Sequence, residues 1–234
     1  NGVLLTDQAG ALKAAGLHRV TVSVDSLDDG VFKEMNDVGV PVEPVLSGID
    51  AAAAAGLTPI KINVVVKRGV NDQTLVDLAR HFRGTGHIVR FIEYMDVGNT
   101  NGWRMEDVVT AAEIVERIAA ELPLEPVAPG YRGEVARRWQ YRDGGGEIGV
   151  IASVTQPFCG DCTRARLSPE GKLYTCLFAS TGHDLRRLVR GGGTDADLAG
   201  AIAAIWEKRA DRYSEIRSGQ PPGLPKVEMS YIGG

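Results

Sequence analysis

Apolar residues recur along the first half of the chain with two rhythms. Over residues 19–25, 60–66 and 88–94 they alternate with polar ones or run as β-branched stretches, which predicts strands. Between these runs the pattern changes to helical spacing. Thr6 is placed to cap a helix through Leu12 to Ala15, stopped by Gly16. Further helices are predicted over 45–55, ended by Gly56, and over 73–82, entered through Asn71-Asp72. The stretch with Asp28-Asp29, Pro41 and Pro44 reads as a loop. Thr110 and Glu113 form a capping box for a helix to Leu122. Such strand–helix alternation predicts an α/β fold with a parallel sheet and right-handed crossovers.

The rhythm breaks at residues 123–133, where three prolines and two glycines mark a junction. We place a domain boundary there, with one domain over 1–122 and a second over 123–234. Beyond it come short extended runs, 136–141 and 148–154, separated by Gly144-Gly145-Gly146. Residues 164–167 and 173–178 read as a hairpin around Pro169-Glu170-Gly171. A short basic helix (185–189) and a long one, capped at Thr194 and running from Asp197 to about Tyr213, close the chain before Gly233-Gly234. Three strands cannot close an eight-stranded barrel, which takes about 250 residues. The expectation is an open partial barrel or a doubly wound sheet. The start at Asn1-Gly2, a turn rather than a methionine, suggests that strands are missing upstream.

The chain has 234 residues, 44% of them hydrophobic and 24% charged, as in soluble globular proteins, and a net charge of −4. That balance gives no general attraction to nucleic acid or to an anionic membrane. The charge is uneven. Residues 131–190 carry ten Lys/Arg against six Asp/Glu, while the remainder is acidic. A local basic segment suits an anionic ligand; a solvated charged face is the plainer reading.

All three cysteines lie in that basic segment, spaced C-x2-C-x13-C at Cys159, Cys162 and Cys176. An odd count without a signal peptide or membrane run argues against a secreted disulfide framework and for a reducing, cytoplasmic setting. Thiolates are soft ligands for zinc or for iron–sulfur clusters. A zinc site needs a fourth ligand, and His183 is the nearest candidate. A four-iron cluster on three cysteines leaves one iron open to substrate. Arg164 and Arg166 follow at once, and their planar guanidinium groups suit phosphates or a purine edge.

On the predicted strands, three pairs put polar or polarisable groups on one face: Ser23 with Asp25, Lys61 with Asn63, and Glu93 with Met95. Ligands in such sheets gather at the C-terminal strand ends, so these pairs predict a ligand-lined mouth, with an internal hydrogen-bond network as the alternative. Lys61 there would seek an anion.

Several stretches carry a resemblance. They are Val22-Ser23-Val24-Asp25-Ser26-Leu27, Gly48-Ile49-Asp50, Lys61-Ile62-Asn63, Arg90-Phe91-Ile92-Glu93-Tyr94-Met95 and Gly144-Gly145-Gly146-Glu147. Phe158-Cys159, Cys162, Arg164-Ala165-Arg166, Cys176-Leu177-Phe178 and the Gly233-Gly234 end continue it. The whole series resembles the GTP 3′,8-cyclase family, radical S-adenosylmethionine enzymes that open molybdenum cofactor biosynthesis. The resemblance implies a partial TIM-type β/α barrel lacking its first strands, plus a small α+β iron–sulfur domain. It implies a C-terminal 4Fe-4S cluster on Cys159, Cys162 and Cys176, with GTP held by Lys61, Arg164, Ala165 and Arg166, and Arg90 near the phosphates. Ser23 and Met95 would contact S-adenosylmethionine. A second 4Fe-4S cluster, on a C-x3-C-x2-C motif, generates the radical in the family, and no such motif occurs here. These residues alone are therefore expected to be inactive. The resemblance further implies a homodimer, a glycine tail reaching the active site, and a partner enzyme that makes cyclic pyranopterin monophosphate from the product. Another radical enzyme with an auxiliary cluster, or a Cys3His zinc-stabilised binding module, are the alternatives.

Overall fold

In the computed structural model, residues 1–217 and 225–232 are described. Gly233-Gly234, singled out above, lie outside them. The chain forms two compact units.

The first unit comprises Asn1–Tyr94 and Met105–Gln156. Its helices are α1 (Leu5–Ala14), α2 (Asp29–Asn36), α3 (Glu43–Ala54), α4 (Leu75–Phe82) and α5 (Ala111–Glu121). Its strands are β1 (Thr21–Ser23), β2 (Lys61–Val66), β3 (Ile88–Glu93), β4 (Leu124–Val127), β5 (Arg137–Tyr141) and β6 (Glu147–Ile151). They make one six-stranded sheet in the order β1-β2-β3-β6-β5-β4. The β1–β2, β2–β3 and β3–β6 pairs are parallel; β5 and β4 add antiparallel strands. One face of β2 (Ile62, Val64, Val66) is fully buried, as are Leu78, Ile114 and Ile118 from α4 and α5. These residues belong to a single apolar core, the form that parallel crossovers require. The α/β class and the parallel start of the sheet follow the expectation.

The differences are local. α2 replaces the expected loop: Asp28 caps it by accepting from the Val31 N–H at 2.9 Å. Its apolar side, Val31, Phe32 and Met35, is short, and only Phe32 is buried. α1 starts at Leu5 without a side-chain cap, so Thr6 does not cap it. α4 begins after Thr74, because Asn71 and Asp72 are engaged in the preceding turn. The expected junction at 123–133 contains β4, which pairs with β5 inside the same sheet. The units accordingly divide near residue 156 rather than at 122, with 95–104 assigned to the second.

The second unit comprises Met95–Arg104 and Pro157–Gly234. It holds a three-stranded antiparallel sheet, β7 (Arg166–Leu167), β8 (Lys172–Tyr174) and β9 (His183–Asp184). The hairpin of β7 and β8 is as expected, although β8 stops two residues before Cys176. Helices α6 (Arg186–Arg190), α7 (Asp195–Glu207) and α8 (Tyr213–Ile216) follow. The single long helix expected to reach Tyr213 is thus broken after Glu207. None of these helices has a fully buried residue. Among the described residues, no helix is long and apolar enough to cross a membrane.

Candidate functional site

In the first unit the partly exposed face of the parallel strands carries the polar residues. Strand register sets Ser23, Asn63, Arg90 and Gly149 in one row across β1, β2, β3 and β6. The Arg90 Nε donates to Asn63 Oδ1 at 2.9 Å. Gly149 makes room for that side chain: a Cβ there would meet Arg90 Cγ at 3.3 Å and Ala136 Cβ at 3.1 Å. Lys61 begins β2, opposite Thr21 and Ile88. It therefore sits at the N-terminal end of its strand, not at the C-terminal mouth where its pairing with Asn63 had suggested a ligand. There it lines a cleft with Arg90, Tyr131, Glu134, Arg138 and Glu147.

The cleft carries Lys61, Arg90 and Arg138 against Glu134 and Glu147, a modest excess of positive charge. Burial lowers the Lys61 pKa, and the neighbouring Arg90 and Arg19 charges lower it further, against Glu134 and Glu147. Burial likewise lowers that of Arg90. Two partly desolvated cations beside each other are stabilised by an anion.

Ser23 is exposed at the end of β1. Asp25 follows it, accepts from the Val65 N–H at 2.8 Å, and has its carboxyl pushed up by burial to about 6. The third expected pair comes apart. Glu93 is wholly buried and accepts from the N–H groups of Ala111 (2.8 Å), Val154 (2.8 Å) and Thr155 (2.9 Å) and from the Thr155 hydroxyl. It is an internal brace between the start of α5 and the loop after β6. Met95 lies beyond the end of β3, and its carbonyl accepts from Asn101 Nδ2 at 2.8 Å.

In the second unit Cys159 opens a 3-10 turn, and the Cys162 N–H closes back on its carbonyl at 3.3 Å. Arg164 folds over this turn. Its Nη2 donates to Cys162 Sγ at 3.4 Å, and its guanidinium stacks 5.1 Å over the Phe158 ring. Its Nε is buried without a partner among the described residues. Arg209, which sequence reasoning did not single out, donates to the carbonyls of Cys162 (2.8 Å) and Thr175 (3.2 Å). It thereby ties Cys162 to the residue before Cys176. Cys176 Sγ accepts the Phe178 N–H at 3.4 Å. Arg166, on β7, is near enough to Cys162 and Cys176 to feel both thiols. Ala165 between the two arginines is exposed.

Burial pushes the Cys162 thiol up, but backbone and side-chain bonds to Arg164 and the charge of Arg209 outweigh it, leaving it below the usual value. Cys176 goes the other way, raised by burial and only partly relieved by the Phe178 N–H. Among the described residues no three His, Cys, Asp or Glu side chains are gathered as for one metal ion. His183 is exposed on β9, paired with Leu173. The donor chemistry here is three soft thiols, N–H···S bonds from Arg164 and Phe178, flanking guanidinium groups and one orphaned buried donor. That set fits an anionic thiolate cluster.

Comparison with known proteins decides the family. Residues 87–215 match the sequence family described as Molybdenum Cofactor Synthesis C, and residues 1–82 match the Radical SAM superfamily. A GTP 3′,8-cyclase of Acidothermus cellulolyticus is 54% identical over 259 aligned positions, covering the whole of this chain and 72% of that protein. One from Xanthomonas campestris is 51% identical, again over the whole chain and 68% of the relative. A third, from a Synechococcus species, is 48% identical and covered to 70%.

The chain belongs to the GTP 3′,8-cyclase family.

Membership of this radical S-adenosylmethionine enzyme family makes molybdenum cofactor synthesis the setting in which the two polar regions are to be read. One is the Lys61–Arg90 cleft of the parallel sheet; the other is the thiol and arginine loop.

Proposed function

We propose that the chain takes part in converting GTP to (8S)-3′,8-cyclo-7,8-dihydroguanosine 5′-triphosphate by a deoxyadenosyl-radical mechanism. The observation that carries this reading is the loop in which Arg164 donates to Cys162 Sγ, Arg166 follows two residues on, and the buried Arg164 Nε has no acceptor among the described residues. Cys159, Cys162 and Cys176 would hold a 4Fe-4S cluster. When bound, the cluster would supply Lewis-acid iron for holding the guanine, and S-adenosylmethionine would supply the radical chemistry.

The chain's own residues bind and orient. Arg164 and Arg166 donate to the nucleotide, with Ala165 offering only its backbone. Lys61, and Arg90 held by Asn63, neutralise phosphate charge in their cleft. Ser23 and Met95 contact S-adenosylmethionine. The parallel strands β1, β2, β3 and β6 are one arc of a partial β/α barrel. The enzyme works as a homodimer in the cytoplasm and passes its product to a cyclic pyranopterin monophosphate synthase.

GTP binding to the anaerobically reconstituted protein tests this. Arg164→Ala and Arg166→Ala should each weaken binding about tenfold or more, the loss typical of a charge-assisted hydrogen bond. Unchanged binding in both variants would remove GTP from this loop. The 234 residues hold three cysteines, ligands for one cluster, so GTP turnover by these residues alone is not expected.

A further inference from the structure

The last described segment, 225–232, is held by residues far away in sequence. Asn99 grips the Lys226 backbone from both sides. The Lys226 N–H donates to Asn99 Oδ1 at 2.9 Å, and Asn99 Nδ2 donates to the Lys226 carbonyl at 2.5 Å. The Asn99 N–H also reaches the Glu228 carboxylate at 2.9 Å. The Glu228 carboxylate occupies the place where a Cβ on Gly98 would stand, and Gly98 itself has φ +64°, a conformation that favours glycine. Asp96 is the hub. It accepts from Lys226 Nζ (2.7 Å), Arg217 Nε (2.8 Å) and the Tyr213 hydroxyl (2.5 Å).

This latch closes on the residues that follow Cys176. The Val227 N–H donates to the Ala179 carbonyl at 3.0 Å. Lys226 and Arg217 sit 5.4 and 5.2 Å over the Phe178 ring, which stacks on Tyr213 at 4.5 Å. The Phe178 N–H in turn donates to Cys176 Sγ. A continuous set of contacts thus runs from Asp96 and Asn99, through residues 226–228, to the third thiol.

We propose that Asp96, Asn99 and Lys226 are positioning residues for Cys176: docking of 225–232 fixes the 176–179 turn and with it the thiolate's place on the cluster. Coupling of this kind is reciprocal, so cluster binding also tightens the docked segment. The cluster half of the inference rests on the function proposed above; the docking half does not.

Two readouts separate them. In the metal-free chain, Asn99→Ala and Lys226→Met should raise hydrogen exchange at the Val227 and Phe178 amides together, by about tenfold or more, while the β2 and β3 amides stay unchanged. In the reconstituted protein, the same variants should release iron to a chelator several-fold faster at an unchanged melting temperature. Lys226→Arg should restore both. Tyr213→Phe, which removes only a hydroxyl, serves if the other variants misfold, and should move both in the same direction by less. Faster exchange at Val227 with none at Phe178 would overturn the coupling. So would unaltered iron release from a protein that has taken up iron. Failure of the unmutated chain to take up iron would overturn the cluster reading, and the exchange data would still decide the docking.

Discussion

The two compact units hold themselves together by different means. The first packs Ile62, Val64, Val66, Leu78, Ile114 and Ile118 into one apolar core beneath a mainly parallel sheet. The second has short strands, helices that bury none of their own residues and only a few buried apolar side chains such as Leu173, Tyr174 and Ile232, and it leans on the Asp96 hub, the Arg209 tie and the cysteine loop. Burial of apolar area is non-directional and tolerates small shifts. A polar hub is worth its full value only when every partner is present. The comparison suggests that the first unit is a scaffold with its own stability, while the second depends on what it binds.

The largest test lies inside the scaffold, at its buried carboxylate brace, Glu93. Glu93→Ala leaves three backbone donors and a hydroxyl without their acceptor. The expected loss is about 3–5 kcal/mol of unfolding free energy, measured by urea denaturation, with Glu93→Gln losing less. A loss under about 1 kcal/mol would show that apolar packing alone holds this unit.

A smaller effect of opposite sign is expected at Asp25. Its carboxyl is raised to about 6, so its contribution to stability is full below the unfolded value of about 3.9 and is lost as pH rises through about 6. Asp25→Asn keeps an acceptor for the Val65 N–H and removes that loss. At pH 8 the variant should be more stable by something on the order of 1 kcal/mol, and at pH 4 indistinguishable from the parent. Equal stabilities at both pH values would mean that the carboxyl titrates normally.

The finest comparison uses one motif in both units. α5 starts with a capping box of Thr110 and Glu113, α7 with one of Thr194 and Asp197. Thr→Ala should cost about 1 kcal/mol at either helix. α5 buries Ala111, Ile114 and Ile118, so Thr110→Ala should lower global stability. α7 buries none of its residues, and Thr194→Ala should only speed local amide exchange. Equal global losses would mean that the second unit is as cooperative as the first.

How much could be read in advance follows the same division. The strands 60–66 and 88–94 were legible because a buried parallel strand must be apolar on its inner face. The Thr110 cap was legible because its chemistry is local. α2 was not, since its apolar side is only Val31, Phe32 and Met35 and lies between Asp28-Asp29 and Pro41. β4 was hidden by its prolines, one of which, Pro126, stands within the strand opposite Trp139. An edge strand tolerates a residue with no N–H to give. In the site, Cys159, Cys162, Cys176 and the two arginines could be picked out by type and spacing. Arg209 could not, because a lone arginine beyond a helix carries no mark of its target.

Residue type and local period are properties of the sequence itself. They determined the α/β alternation, the thiol spacing with its Arg-x-Arg and the resemblance that named the family. What a polar side chain meets depends on the path of the chain between partners. Only the tertiary structure decided that Glu93 braces the interior, that Lys61 stands at the start of its strand, and that Asp96 closes on Lys226 from 130 residues away.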